Sequence, residues 1–308
     1  MFALQYSELG PSDVLTIGEA DEPHAGPGEI RIAVRTVGVT PADHKLRSGA
    51  IPEELRLGLA LPHIPGVDAA GVVDEIGEGV TGVAVGDAVF GVVDIGRLGG
   101  AAAEFAVLAA WAAKPDALSW EEAGGAAANV ETATRALNLL GVTAGTTLLI
   151  EGAAGGVGTT AIQLAAARGA TVIGTAREAN HAFLTGLGAT PTTYGPGLAD
   201  RVAAPGGVDA VLDAAGSGSL PDLVAIAGDA RRVVSVADMA AQDHGVHLTW
   251  AGSGDAPGND GLAVAAALAE EGRFRVPLHE VFPLADAAKA HELSATGRVR
   301  GKIVLTVP

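Results

Sequence analysis

The sequence predicts an α/β protein of two domains: an antiparallel, barrel-like β domain and a doubly wound parallel sheet of six strands. Three observations lead there. Up to about residue 115, apolar and polar residues alternate between Gly and Pro turns, with no long helical period among them. From about 120 to 265, short apolar strands alternate with helical patterns, as βαβ units require. Between two of those strands lies a glycine-rich loop, EGAAGGVG (151–158).

The elements follow in order. EIRIAVRTVGV (29–39) alternates charged or polar residues with Ile and Val, because successive strand side chains point to opposite faces. VDAAGVVDEIG (67–77) and VAVGDAVFGVV (83–93) are further strands with Gly or Gly-Asp turn signals. TTLLIE (146–151) is a short buried strand, and Val157, Ala161, Leu164 and Ala165 follow it at helical spacing. ATVIGTA (170–176), TTY (192–194), VDAVLDA (208–214), RRVVSVA (231–237) and VHLTW (246–250) bring the second region to six strands. The tail (276–307) reads strand, helix, strand and is a candidate to return to the first domain.

Composition excludes several functions. Hydrophobic residues are 48% and charged residues 18%, which is a folded chain with enough apolar material for two cores. A net charge of −17 argues against nucleic acid and against an anionic membrane surface as partners. With no cysteine, disulfides, thiolate metal sites and thiol nucleophiles are impossible. The start, MFALQYSELGPSD, has Glu8 and Asp13 and no basic leader. The longest apolar stretch, LGGAAAEFAVLAAWAA, is broken by Glu104. The expectation is a soluble cytoplasmic protein without a membrane partner.

The loop after TTLLIE matches a dinucleotide fingerprint with Ala153 in place of the first glycine, followed by Gly155, Gly156, Val157 and Gly158. Gly155 lets the backbone approach a pyrophosphate, Gly158 lets helix and strand pack closely, and the helix N-terminus offers free N–H groups. In a chain with 44 glycines an ordinary tight turn is the alternative. A strand before, a helix after and a second strand at the right distance favour the nucleotide. At the end of that second strand an NAD site needs Asp or Glu for the ribose 2′-hydroxyl. Here Thr175 and Ala176 precede Arg177, whose guanidinium suits a 2′-phosphate, so NADPH is expected over NADH.

These segments, with ETATRALNLLGVTAGTTLLIEGAAGGVGTTAIQLA (131–165), LDAAG (212–216) and VFPLADAAKAHELSATGRVRGKIVL (281–305), resemble the zinc-free, quinone oxidoreductase-like (zeta-crystallin-like) branch of the medium-chain dehydrogenase/reductase superfamily. The resemblance spans nearly the whole chain. It implies a GroES-like catalytic β-barrel domain from 1–118 and 268–308 and a Rossmann domain from 119–267, with the active site in a cleft between them. It also implies a homodimer, with VHLTW as the pairing edge. Metal-dependent relatives carry Cys where this chain has Thr40 and His where it has Val67, so no metal is expected, and alcohol oxidation is disfavoured without a Lewis acid. A makeshift site from His44, His63 and Asp68 matches no standard zinc spacing.

The reaction the resemblance implies is hydride transfer from NADPH to a small-molecule quinone or α,β-unsaturated carbonyl. Its substrate side maps onto TPADHKLRSG, with Thr40, Asp43, His44 and Lys45 as candidate catalytic residues. Each has a structural alternative: Asp43 as a turn anchor, His44 as a packed neutral imidazole, Lys45 as a snorkelling surface residue. Thr40 is the candidate hydroxyl donor. On the cofactor side the resemblance assigns Gly155, Gly156, Val157 and Gly158 to the pyrophosphate. Thr175, Arg177 and Tyr194 go to the adenosine phosphate, and Gly216, Ser235, Val236 and Thr132 to the nicotinamide. Thr40 and His44 stand where the branch often has Asn and an aromatic, and loop 51–62 lacks Tyr. Those departures leave open a pathway-specific enoyl or ketone reductase acting on a polyketide-like intermediate. A non-catalytic NADPH-binding structural or regulatory protein is the alternative of another class.

Overall fold

The computed structural model describes every residue except 54, 55, 57, 58, 95–98, 204, 205 and 251, so part of loop 51–62 lies outside the described residues. Two units separate by their internal contacts, Met1–Ala128 with Leu262–Pro308, and Asn129–Gly261.

In the first unit, β1 (Phe2–Gln5) and β2 (Thr16–Glu19) form a small antiparallel pair. The main sheet uses β3 (Ile30–Val39), β4 (Asp68–Ile76), β5 (Ala88–Val93) and β6 (Phe105–Ala113). The chain then runs through the second unit, β7 (Thr147–Glu151), β8 (Thr171–Thr175), β9 (Thr190–Thr192), β10 (Ala210–Asp213), β11 (Val233–Ser235) and β12 (His247–Leu248). It returns to the first with β13 (Leu278–Pro283) and β14 (Lys302–Thr306), the strands foreseen in the tail.

The first sheet runs β13-β14-β3-β4-β5-β6, and β6 also bonds to β3. Two partners share β3: Ile30–Ala33 pair with β6 and Thr36–Val39 pair with β14. Its pairing with β4 slips between Val34 and Thr36, where one partner gives way to the other. This closes the sheet into the GroES-like barrel and removes a free edge. The first half of β3 alternates as expected, with Ile30, Ile32 and Val34 in the core; Thr36–Val39 are buried throughout. Over that half the helix Trp120–Gly124 lies close: Thr36 Oγ1 donates to Trp120 O at 2.6 Å, and a Cβ on Gly124 would meet the Thr36 side chain.

A buried ion pair ties this barrel. Lys302, first residue of β14, lies 3.4 Å from Oδ2 of Asp68, first residue of β4; their side chains are 3% and 0% exposed. The same oxygen accepts from Ala128 N at 3.1 Å, at the start of the helix Ala127–Leu139. Glycines make the room: a Cβ on Gly125 would lie 2.7 Å from Lys302 Cγ, and one on Gly38 2.6 Å from Lys302 Cε. Burial pushes the Asp68 carboxyl up, while Lys302 and the Ala128 N–H pull it down.

The second unit is a parallel sheet ordered β12-β11-β10-β7-β8-β9. The chain winds outward from β7 to β9, then outward again from β10 to β12, so β7 and β10 lie adjacent at the switch point of a doubly wound fold. Leu149, Ile173, Val211 and Val233 fill its core with Leu220 and Leu223. The predicted strand at TTY lies earlier, at Thr190–Thr192, and ends before Tyr194. Pro191 hid it, yet an edge strand tolerates a missing N–H on its open side. VHLTW shortens to His247–Leu248. In the first unit the hairpin β1–β2 and the seven-residue helix Pro41–Arg47 were not foreseen. Among the described residues no helix is long and apolar enough to cross a membrane.

Removing one partner of the buried pair leaves the other charge stranded. Lys302→Met or Asp68→Asn alone is expected to cost about 3–5 kcal/mol in urea unfolding. The double variant should be less destabilised than either single change; additive losses would show that the two groups do not act as a pair.

Candidate active site

The carboxyl ends of β7, β10 and β11 form one nested platform. Glu151 closes β7 and stands in register with Asp213 at the end of β10, which in turn faces Ser235 on β11. The turn after β7 is made by Gly152, at φ 75°. A Cβ there would lie 2.9 Å from the Ala214 carbonyl carbon and 3.0 Å from Ala215 N, so backbone packs directly on backbone. The sequence aligned Ala153 with the first glycine of the fingerprint; the left-handed turn residue is Gly152, one place earlier.

Gly155 caps the helix Gly156–Ala167 without a side chain, and Thr159 N bonds back to its carbonyl at 2.9 Å. The N-cap residue thus offers no side-chain acceptor to the N–H groups of the first turn, which suits an incoming anion. Gly155 is open: a Cβ would touch only Gly152 O, at 3.4 Å. Gly158 is closed: a Cβ would run into Gly152 O and lie 2.6 Å from Ala153 Cα. One glycine thus leaves room on the ligand side, and the other lets the helix press on the loop. Gly156 lies close to the Asn129 side chain, and Val157 is half-buried beside it.

Asp213 shapes the neighbouring loop. Its Oδ1 accepts from Ala215 N at 2.9 Å and Gly216 N at 3.0 Å, and its Oδ2 accepts from Ser235 Oγ at 2.7 Å. Ser235 Oγ also accepts from Asp238 N at 2.9 Å, so this fully buried hydroxyl is committed to the protein. Gly216 is exposed, with φ 59°, and a Cβ on it would lie 2.7 Å from Ala237 O; Val236 is half-buried. Thr132 Oγ1 donates to Glu131, itself paired with Arg135 at 2.8 Å inside the unit.

At the end of β8 the buried Thr175 hydroxyl has no hydrogen-bond partner, and the exposed Arg177 guanidinium makes no hydrogen bond or ion pair with the described residues. Tyr194 is half exposed. Arg201 holds its turn, donating to Thr193 O at 2.8 Å and to Thr192 Oγ1 at 3.2 Å. An open glycine cradle, an orphaned hydroxyl and an unpaired arginine together fit a phosphate-bearing dinucleotide.

The four substrate-side candidates lie on one short element of the first unit. Thr40 caps the helix Pro41–Arg47. Asp43 Oδ2 accepts from Thr40 N at 2.6 Å and from Thr40 Oγ1 at 2.7 Å, while Oδ1 accepts from Gly66 N at 3.0 Å. Asp43 is therefore an anchor for this turn, and the Thr40 proton is engaged. His44 is half-buried, and burial, assisted by Lys45, pushes its imidazole below the ordinary histidine range. Lys45 is exposed. His63 packs edge-on against the Tyr6 ring at 5.3 Å. Among the described residues no three His, Asp or Glu side chains come together as metal ligands. The donors do not fit a catalytic zinc either, since Val67 cannot ligate and Thr40 is no thiolate.

Comparison with known proteins agrees with this architecture. Residues 26–116 match the family described as alcohol dehydrogenase GroES-like domain, and 187–305 match zinc-binding dehydrogenase. The structure of the quinone oxidoreductase from Coxiella burnetii superposes with a TM-score of 0.85 at 32% identity, covering 100% of this chain and 99% of that one. The polyketide synthase GfsB of Streptomyces halstedii is 33% identical over 299 residues, which is 91% of this chain and 5% of the synthase. The quinone oxidoreductase of Sus scrofa is 35% identical over 182 residues, 57% of this chain and 53% of the relative. The chain thus spans about half the length of that curated quinone oxidoreductase and a small part of the synthase. It belongs to the medium-chain dehydrogenase/reductase superfamily, beside its quinone oxidoreductases.

The sequence missed several parts of this platform. Gly152 was visible as the glycine directly after a strand. Asp213 lay in the quoted LDAAG, but nothing marked its side chain as a loop anchor. Arg201 carried no local signal, because its partners are backbone carbonyls. The two fingerprint glycines are expected to separate in a binding and melting experiment. Gly155→Ala should keep the thermal midpoint and weaken dinucleotide binding about tenfold, because the methyl faces the pyrophosphate. Gly158→Ala should cost about 1–3 kcal/mol of stability through overpacking. Equal melting losses in both variants would contradict this division of labour.

Proposed function

We propose that this chain is a cytoplasmic NADPH-dependent reductase that delivers hydride to a quinone or an α,β-unsaturated carbonyl without a metal. Residues 1–118 and 268–308 would act as the catalytic domain and 119–267 as the cofactor domain. The observation that carries the NADPH reading is the exposed, unpaired Arg177 after Thr175 and Ala176, where an NAD site would place an acid. Gly155, Gly156, Val157 and Gly158 would hold the pyrophosphate. Thr175, Arg177 and Tyr194 would hold the adenosine phosphate, and Thr132, Gly216, Ser235 and Val236 would support the nicotinamide side. Bound there, NADPH supplies the hydride.

On the substrate side the reading gives each residue one task. The neutral His44 imidazole and the Thr40 hydroxyl offer hydrogen bonds to a carbonyl oxygen that gains charge as the acceptor is reduced. Thr40 does so by turning its proton from Asp43, which otherwise fixes its position. Lys45 adds positive charge beside them. Quinones and conjugated carbonyls are electron-poor enough to accept hydride without Lewis-acid help. Homodimerisation through β12 belongs to the same reading, since among the described residues this edge strand pairs with β11 alone.

A second reading, reduction of an enoyl or keto group on a polyketide-like intermediate, rests on one observation. A polyketide synthase matches 91% of this chain at 33% identity, on a par with the 100% covered at 32% identity by the Coxiella burnetii quinone oxidoreductase. The polar Thr40 and His44 agree with it.

NADPH consumption by the pure protein against quinones, simple enones and enoyl thioesters, with products identified, separates the readings. Enones reduced at the C=C bond support conjugate reduction, and turnover of the thioesters alone supports the second reading. Binding of NADPH without any turnover moves the protein to a non-catalytic role. Arg177→Ala should lower the preference for NADPH over NADH about 10- to 100-fold, the worth of a charge-assisted hydrogen bond. An unchanged preference would remove Arg177 from the phosphate site. Thr40→Val should lower kcat with little effect on NADPH binding.

A further inference from the structure

Glu151 is a buried carboxyl at the mouth of the glycine loop that the proposed reaction does not use. It ends β7, and the next residue is the turn glycine Gly152. It is 4% exposed. Its Oε1 accepts from Ser217 Oγ at 3.3 Å, its Oε2 accepts from Ser219 Oγ, and Ser217 Oγ lies 3.1 Å from Ser219 Oγ. The carboxyl therefore links the pyrophosphate loop to the loop after β10, whose backbone packs against Gly152.

The charged neighbours that act on it most are both acidic. Asp213 stands beside it on β10, in register, and Asp222 lies on the helix Leu220–Ala227 behind the serines. The helix Gly156–Ala167 brings no charged residue in its sequence, and the largest charge contributions acting on Glu151 come from Asp213 and Asp222. Burial pushes the Glu151 carboxyl above the ordinary glutamate range; the two serine hydroxyls pull it back, and the Asp213 and Asp222 charges add to the rise. A dinucleotide brings two more negative charges, on its pyrophosphate, to the loop that begins at the next residue. A buried anion at this place would repel them in a medium of lower dielectric than water.

We propose that Glu151 is a positioning residue of the dinucleotide site, which joins the two loops through Ser217 and Ser219 and whose negative charge opposes the incoming pyrophosphate. This rests on the assignment of the glycine loop to the pyrophosphate. Proton and cofactor are then linked: binding favours the protonated carboxyl, and loss of that proton with rising pH weakens binding. A glutamine at this position keeps the shape and the hydrogen-bond acceptor but is neutral at every pH.

The test is fluorescence titration of NADPH and of NADH into wild-type protein and Glu151→Gln from pH 5.5 to pH 8.5 at constant ionic strength. Titration of the 2′-phosphate and of other protein groups is common to both proteins, so the ratio of their dissociation constants isolates Glu151. The ratio should be close to one at the acid end. It should rise with pH until wild type binds about tenfold more weakly, the factor that one pKa unit of coupling corresponds to. NADH should show the same trend, because the pyrophosphate is common to both. A ratio that stays constant with pH, or a glutamine variant that binds more weakly at pH 8.5, overturns the proposal and leaves Glu151 a structural clamp. If the variant fails to fold, wild type alone decides: NADH binding that is independent of pH over this range overturns it. Failure of the underlying reading looks different, since neither nucleotide would then bind either protein at any pH.

Discussion

The cofactor unit depends on how closely three loops approach one another at the carboxyl ends of β7, β10 and β11. Gly152 lies against Ala214 and Ala215, and Gly216 lies against Ala237, in both cases where a Cβ would collide with main chain. Backbone this close must find hydrogen-bond partners inside the protein. Asp213 supplies them for Ala215 and Gly216, and Ser235 supplies them for Ala237 and Asp238. Glycine therefore permits the approach, and short polar side chains at the strand ends make it stable. The face left for a ligand is mostly main chain, and free N–H groups at a helix N-terminus suit an anion even without a lysine or arginine in the loop.

The first unit solves a different problem with the same economy of space. A barrel of few strands has to close, and β3 closes it by serving β6 with its first half and β14 with its second. Since β14 follows the second unit in the chain, the first unit cannot be completed until the second has been synthesised. Asp68 and Lys302 sit at this junction between early and late sequence, and the Ala128 N–H joins them from the chain between. An ion pair in so dry a place is poor evidence of net stability, but it punishes misregister of β14, because any slip would bury Lys302 without its partner.

Most of the architecture was legible because period and punctuation agreed. The alternation in EIRIAVRTVGV and the strand–glycine–helix succession around 146–165 each left few alternatives. What was lost follows from the physics of the signal. Alanine hides periodicity, so β6, within the run Phe105–Ala113, showed only as an apolar stretch. A proline obscured β9. Side chains that shape loops through backbone carbonyls or N–H groups, such as Arg201, Asp213 and Asp43, leave no pattern, because their partners have no identity in the sequence. Thr40 was legible as a hydroxyl near the substrate side; that its proton is held by Asp43 became visible only from the fold.

A chain of net charge −17 is an unpromising host for a polyanion. The contradiction fades with distance: the field of remote carboxylates is screened over about 8–10 Å at moderate ionic strength, whereas hydrogen bonds and local dipoles act at contact. On the proposed reading, affinity is then decided by the few groups that would act at contact. On one side stand the uncapped N–H groups of the helix Gly156–Ala167 and the exposed Arg177. On the other stand the buried carboxyls Glu151 and Asp213. Asp213 accepts hydrogen bonds from two backbone N–H groups and a hydroxyl. Glu151 has only hydroxyls, and these can serve a neutral carboxyl as well as a charged one. The carboxyl ends of β7 and β10 thus hold two acids whose hydrogen-bond partners set them apart, and the one bonded by hydroxyls alone stands next to the glycine loop.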